Sequence, residues 1–327
     1  MTSGSGKASD RDLLSGVLAG DRASLARAIT LVESTRADHR QQACELLDGL
    51  PERPDSWRIG ISGPPGAGKS TFLDAFGMEL IDSGHRVAVL AVDPSSSLSG
   101  GSILGDKTRM ERLAREPAAF IRPSPSAGNL GGVGRRTREA IRVCEAAGFD
   151  RIFVETVGVG QSEGLVRTMV DVFLLLLLPG SGDSLQGIKR GIMELADGLF
   201  INKADGESRS AAERTANDYG QALHLLPPAT EGWSVPVGCI SALEAQGLNQ
   251  VLECLVAHRQ HLETLGGGVE RHRREQALDW LRTMVQDELL TRFWNRPGIR
   301  ELLAELEHGI LEQGLDPVRA ADRLLSR

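Results

Sequence analysis

Seven short apolar runs divide the chain between positions 58 and 241: "RIGIS" (58 to 62), "RVAVLAV" (86 to 92), "AAFIRPS" (118 to 124), "RIFVET" (151 to 156), "VFLLLLL" (172 to 178), "GLFIN" (198 to 202) and "VPVGCIS" (235 to 241). They are near-continuous rather than alternating, the pattern of strands covered on both faces. Between most of them apolar residues return at every third or fourth position, as at 70 to 83, 134 to 147 and 208 to 225, which predicts amphipathic helices. Such alternation predicts an α/β fold, a mostly parallel sheet with helices on both faces. Ligands bind beyond the carboxyl ends of the strands in these sheets, so the chemistry is to be sought where each run stops.

The flanks are helical. Residues 1–10, "MTSGSGKASD", are Gly/Ser-rich and predict disorder. Leu13, Leu14, Val17 and Leu18, then Leu25, Ala28, Ile29 and Leu31, follow a helical period over residues 11–56, with Asp21 suited to cap the second segment and "PERPDS" (51 to 56) breaking the pattern. A nucleotide-binding domain is predicted over 57–265. "GGG" (266 to 268) opens a tail over 266–327, with helices at 269 to 293, 298 to 312 and 316 to 326, folded back at "WNRPG".

Composition narrows the partners. A formal net charge of -7 disfavours nucleic acid and anionic membranes. The longest apolar run, "VFLLLLLP", is far shorter than the roughly 18 residues of a membrane span. Cys44, Cys144, Cys239 and Cys254 are scattered and form no C-x-x-C pair, and no secretory leader precedes them, which predicts free thiols and a cytoplasmic protein.

The first run stops at "GPPGAGKS", a complete G-x-x-x-x-G-K-[ST] phosphate loop between a strand and a helix. Gly63, Pro64, Pro65, Gly66, Ala67 and Gly68 turn backbone N–H groups toward one point, Lys69 brings a positive charge, and Ser70 and Thr71 open the helix whose N-terminus favours phosphate. The sixth run stops at "INKAD". Asp205 can accept from guanine N1 and N2 together, Lys203 can lie along the base plane, and Asn202 can tie this turn to the phosphate loop. The Ser241-Ala242 backbone in "ISALEAQG" can complete the base pocket. An Asn-Lys-Ala-Asp turn is also a good helix cap, so the guanine reading rests on its pairing with the phosphate loop.

The fourth run stops at "ETVGVGQSE", where Glu155 can act through a water on Mg²⁺ or orient the attacking water, and Gly158 can offer its N–H to a γ-phosphate. Asp93 and Asp106 follow the second run. Carboxylates beside a phosphate site make sense when Mg²⁺ lies between them, with Ser70 as a further ligand, although Asp93 also suits a turn before Pro94. A loop at 180 to 191, "GSGDSLQGIKRG", spaces Asp183, Gln186 and Lys189 three apart, on one side of a helical turn or at a solvated helix start. His258 and His261, with no Cys or acidic cluster nearby, read as an exposed helical face rather than metal ligands.

Taken in order, "GPPGAGKST", "AVDPSS", "SGGSILGDKTRM", "FIRPSPSAGNLGGVGRRTRE", "VETVGVGQSE", "GDSLQGIKRGI" and "NKAD" resemble the MeaB/ArgK family of methylmalonyl-CoA mutase-associated GTPases, from about residue 12 to about residue 290. The resemblance implies a P-loop GTPase that binds GTP/GDP with Mg²⁺. It further implies a chaperone that gates adenosylcobalamin loading of an acyl-CoA mutase, protects the mutase and helps release damaged cofactor. A homodimer through the C-terminal helices is implied too, as is a third switch at 180 to 191 relaying nucleotide state through Asp183, Gln186 and Lys189. The client stays open among methylmalonyl-, isobutyryl-, ethylmalonyl- and 2-hydroxyisobutyryl-CoA mutases. Two alternatives use the same loop. A small-molecule kinase would cover its acceptor with 180 to 191, and a nickel-delivering metallochaperone GTPase would need clustered Cys and His that the sequence lacks.

Overall fold

In the computed structural model the described residues are 5–34, 36–92, 110–123, 130–156, 163–181 and 190–326. All seven apolar runs form strands: β1 (Trp57–Ser62), β2 (Val87–Val92), β3 (Ala119–Pro123), β4 (Arg151–Thr156), β5 (Val172–Leu177), β6 (Gly198–Ile201) and β7 (Val237–Cys239). They make one parallel sheet in the order β3-β2-β4-β1-β5-β6-β7. β7 is shorter than its apolar run. Pro236 has no N–H for the ladder, and after Cys239 the chain turns into an isolated antiparallel bridge between Ser241 and Gln246.

Side chains alternate across each strand, and this sorts them into two cores. Ile59, Ile61, Val89, Leu174 and Leu176 face α4 (Lys69–Asp82), α5 (Glu111–Arg115) and α10 (Leu248–Thr264), meeting Phe72, Phe76, Leu113 and Val251. Leu90, Val154, Phe173 and Leu175 face the other way, toward α6 (Leu130–Ala146), α7 (Glu163–Arg167) and α9 (Arg209–Leu223). The short α8 (Arg190–Met193) adds Ile192 and Met193 to this second core.

Three N-terminal helices, α1 (Ser5–Leu18), α2 (Arg22–Glu33) and α3 (Ala37–Asp48), belong to that second core through Val17, Leu25, Ile29 and Leu46. Asp21 caps α2, accepting from the Ser24 N–H at 2.7 Å. Arg122 pairs with Glu33 at 2.7 Å and Arg40 with Glu139 at 2.8 Å. The helix begins at Ser5, within the stretch whose composition predicts disorder. Once α1 has nucleated on its packed turns, each further residue gains one hydrogen bond that offsets the entropy of fixing it, and Lys7 and Ala8 are good helix formers.

The contacts divide the chain after Arg274, inside α11 (Gly268–Trp294), rather than at the glycines before it. Arg273 keeps the first turns of α11 with the sheet: it donates to both Asp171 carboxylate oxygens, at 2.6 and 2.7 Å, and to the Ser56 carbonyl at 2.7 Å. Burial works to raise the Asp171 carboxyl, but the hydrogen bonds and charge of Arg273, with Arg58, hold it below its ordinary value of 3.8. A carboxyl so depressed adds stability that is complete above its unfolded value and disappears as pH falls through the lower folded one. Arg273→Ala is therefore expected to destabilise the protein by about 3 kcal/mol near neutral pH. Chemical unfolding followed as a function of pH should show the gap from wild type narrowing below pH 3.8.

The second unit, Glu275–Arg327, holds the rest of α11 with α12 (Ile299–Gln313) and α13 (Pro317–Leu325). Asp316 caps α13 through the N–H groups of Val318 and Arg319, with Pro317 in the first turn where its missing N–H does no harm.

Candidate functional site

The phosphate loop joins β1 to α4, and two of its glycines are there for space. At Gly63 (φ +152°) a Cβ would stand 2.1 Å from the Leu176 carbonyl oxygen, and at Gly68 (φ +83°) it would stand 2.5 Å from Asn202 Nδ2. Lys69 is buried, and its Nζ donates to the carbonyls of Gly63 (2.8 Å) and Pro64 (3.3 Å). Burial pushes its ammonium below the ordinary lysine value, while the charges of Glu155 and Glu163 act to raise it. Ala67 is buried, Ser70 half-buried, and Pro65, Gly66 and Thr71 are exposed along the mouth of the loop.

Glu155 is the penultimate residue of β4, buried, and in register with Ile61 of β1 on one side and Ala91 of β2 on the other. The next residue fastens the two central strands at their phosphate end, Thr156 Oγ1 donating to Ser62 Oγ at 2.8 Å. β2 ends at Val92, directly before Asp93. Asp93, Asp106, Gly158, Asp183, Gln186 and Lys189 lie outside the described residues.

The base-reading elements come from the neighbouring strand ends. Asn202 follows β6, is buried, and is used on both sides: its Nδ2 donates to the Ala67 carbonyl at 2.7 Å, and its Oδ1 accepts from the Ala242 N–H at 3.0 Å. One amide thus joins the phosphate loop to the Ser241-Ala242 turn. Lys203 takes a left-handed backbone (φ +61°), a conformation that costs a non-glycine residue about 1 kcal/mol and is concentrated at ligand sites. Ala204 returns to the sheet edge by donating to the Ile240 carbonyl. Asp205 Oδ2 accepts from Ser241 Oγ at 2.6 Å, which fixes the plane of the carboxylate.

Glu163 is a site residue that the motifs leave unassigned. It is buried in the first turn of α7 and acts electrostatically on Lys69. Its only signal in the sequence is its place at the end of "ETVGVGQSE", and an acid at a helix start is ordinarily a solvated partner of the helix dipole.

The two histidines need a correction. His261 is half-buried, its ring 5.4 Å from that of Trp233 and its Nε2 2.7 Å from the Glu231 carbonyl, and His258 is fully buried, on the face of α10 that carries Leu248, Val251, Leu255 and Leu262. Its Nε2 lies 3.3 Å from Asp197 Oδ1, and its ring meets Trp233 edge-on at 5.0 Å. Helical spacing placed it on the apolar stripe, and a carboxylate from before β6 makes a polar ring tolerable there.

Comparison with known proteins places this arrangement among relatives. Residues 25–298 match the family described as "Methylmalonyl Co-A mutase-associated GTPase MeaB". The chain is 50% identical over 272 residues to the GTPase ArgK of Escherichia coli (strain K12), spanning 83% of this chain and 82% of that one. It is 47% identical over 324 residues to the mitochondrial methylmalonic aciduria type A homolog of Mus musculus, spanning 96% of this chain and 78% of that protein. A crystal structure described as that of LAO/AO transport system kinase is similar with a TM-score of 0.79 and 37% identity, over 98% of this chain and 97% of that one.

Proposed function

The chain belongs to the MeaB family of methylmalonyl Co-A mutase-associated GTPases and hydrolyses GTP to GDP and phosphate, and from that premise we propose that it is the chaperone of an adenosylcobalamin-dependent acyl-CoA mutase, gating cofactor loading, protecting the mutase and serving its reactivation. The observation that carries the guanine-nucleotide part is the two-sided hydrogen bonding of Asn202, which sets the Lys69 loop and the Asp205–Ser241 pair at the carboxyl end of one sheet. Two recognition elements far apart in sequence thereby face one ligand.

The donor set suits Mg²⁺. Ser70 and Glu155 offer hard oxygen ligands, and Asp93 and Asp106 are the further carboxylates we assign to the metal from their place in the sequence. When bound, the metal neutralises charge developing on the β- and γ-phosphates. The residues of the chain do the rest: Lys69 orients the phosphates, Glu155 holds the metal side or the attacking water, and Gly158 senses the γ-phosphate.

Exposed Leu278, Leu281, Val285, Leu289 and Trp294 recur at three- to five-residue steps along α11, an apolar stripe on a helix otherwise rich in charge. This supports a homodimer in which a second copy of the helical arm covers the stripe. No helix among the described residues is long and apolar enough to cross a membrane. The four scattered cysteines, all free thiols, support a reducing cytoplasm as the location.

The loop at 180 to 191 is assigned as the relay to the client, through Asp183, Gln186 and Lys189. Nucleotide and client must then alter each other's affinity by one common factor, typically about 5- to 150-fold. Pull-down of candidate mutases with the GDP-bound and GTP-analogue-bound protein tests the client. Lys189→Ala is expected to abolish most of the partner-stimulated hydrolysis and the GTP-gated transfer of adenosylcobalamin, followed by absorbance. Full stimulation and gating by this variant would remove the loop from the mechanism.

A further inference from the structure

The two strands at the centre of the phosphate site, β1 and β4, keep one tie beyond the end of their ladder. Their register runs from Trp57 opposite Arg151 to Ile61 opposite Glu155, and the next pair, Ser62 and Thr156, is joined through side chains, Thr156 Oγ1 donating to Ser62 Oγ at 2.8 Å. Both residues are fully buried. After them the two chains part, β1 into the phosphate loop at Gly63 and β4 into the segment that carries Gly158. Ser62 is also in register with Leu175 of β5, and Thr156 with Val92 of β2, the residue before Asp93. The hydroxyl pair thus stands where the segments leading to the phosphate loop, to Gly158 and to Asp93 leave the sheet.

Alternation fixes which way the neighbours point. Ile61 lies on the α4 face of the sheet, and Glu155, in register with it, shares that face with the helix that Lys69 opens. Ser62 and Thr156 lie on the opposite face with Val154 and Leu175, toward α6 and α7. The tie and the acid are therefore back to back on adjacent residues, and a shift of β4 that opened the hydroxyl pair would carry Glu155 with it. Alanine and valine would fill the same space with no polar group to satisfy, so packing alone does not call for two hydroxyls at a buried strand end.

We propose that Ser62 and Thr156 are positioning residues for GTP hydrolysis: their hydrogen bond sets where Glu155 stands relative to the phosphate loop, and so governs turnover rather than nucleotide affinity. The inference rests on the proposed action of Glu155 on the metal side or the attacking water. Misplacing a reacting group by about 1 Å can cost roughly 10²-fold in rate. The contacts that shape the binding loops survive loss of the pair, since Gly63 stays against the Leu176 carbonyl of β5 and Asn202 stays between Ala67 and Ala242.

The test measures single-turnover GTP hydrolysis, GTP and GDP affinity and urea unfolding on the full chain. Thr156→Val, which removes the hydroxyl and keeps the shape, is expected to lower turnover by about 10- to 100-fold while affinities stay within about threefold of wild type. Ser62→Ala should do the same, and the double variant should lose no more than the worse single one, because both remove one interaction. Thr156→Ser keeps the donor and should hydrolyse within about threefold of wild type. Where Thr156→Val does not fold, Ser62→Ala and Thr156→Ser carry the comparison. Turnover near wild type in Thr156→Val and Ser62→Ala would overturn the proposal, whatever happens to the urea midpoint. A loss of affinity as large as the loss of turnover would overturn it too, as would a Thr156→Ser protein as slow as Thr156→Val, by making packing the cause. Glu155→Gln, run alongside, separates the two readings. Wild-type turnover in Glu155→Gln would remove Glu155 from the step and this proposal with it, whereas a slow Glu155→Gln beside normal hydroxyl variants would remove the positioning role alone.

Discussion

Asp205→Asn is expected to exchange guanine for xanthine nucleotides. The Asp205 carboxylate already accepts the Ser241 hydroxyl through Oδ2, which leaves its remaining acceptor capacity for guanine N1 and N2. An amide puts a donor where guanine presents donors, and sites built on such polar matching discriminate by roughly 10⁴- to 10⁵-fold. The loss for GTP should fall in that range, with xanthosine triphosphate bound in its place because the amide donates to the 2-oxo group. Ser241 can still donate to the remaining amide oxygen, so thermal stability should hardly move. Calorimetric titration with guanine, xanthine and adenine nucleotides reads this directly. A variant that binds GTP as tightly as the wild type would show that Asp205 is only a turn residue.

The second large effect is at Lys69. Lys69→Ala removes the ammonium from the phosphates and takes the donor from the Gly63 and Pro64 carbonyls. It also removes a positive charge on which Glu155 and Glu163 act. Loss of one preorganised cationic donor lowers turnover by roughly 10²- to 10³-fold, and here binding should weaken in parallel because the same contact exists before the transition state. Wild-type hydrolysis without a partner is expected to be slow, on the order of 10⁻⁴ to 10⁻² s⁻¹. Single-turnover hydrolysis with an independent measurement of nucleotide affinity separates the two losses. Wild-type affinity retained by Lys69→Ala would mean that the phosphates do not sit on this loop.

Strands β1 to β6 were legible in the sequence because their apolar runs are largely covered on both faces, so no alternation had to be deciphered, whereas β7 is a half-buried edge strand. β7 was overextended because Pro236 and the Ser241–Gln246 bridge, which end it, act through a missing donor and a local turn rather than through hydrophobicity. The phosphate and base motifs were legible because their residue types are tied to backbone geometry: only glycine fits against the Leu176 carbonyl at Gly63. Glu163 and His258 were not. In each case the surroundings are distant in sequence: His258 meets Asp197, and Glu163 is buried in a helix whose Val166 packs on Gly60, so a polar residue at helical spacing gives no sign of what awaits it. The root of the tail was also out of reach, since the bonds from Arg273 to Asp171 and Ser56 join residues 102 and 217 positions apart.

The Asn202 amide lies wedged between the Ala67 carbonyl and the Ala242 N–H, and this makes selectivity and affinity a single property of the protein. A ligand that pulls the base turn into place also steadies the loop that receives phosphate, and the reverse holds by thermodynamic necessity. Guanosine and pyrophosphate, offered as separate fragments, should therefore favour each other's binding without touching. Any lesion that frees this one side chain would show up as a nucleotide held in two loose halves.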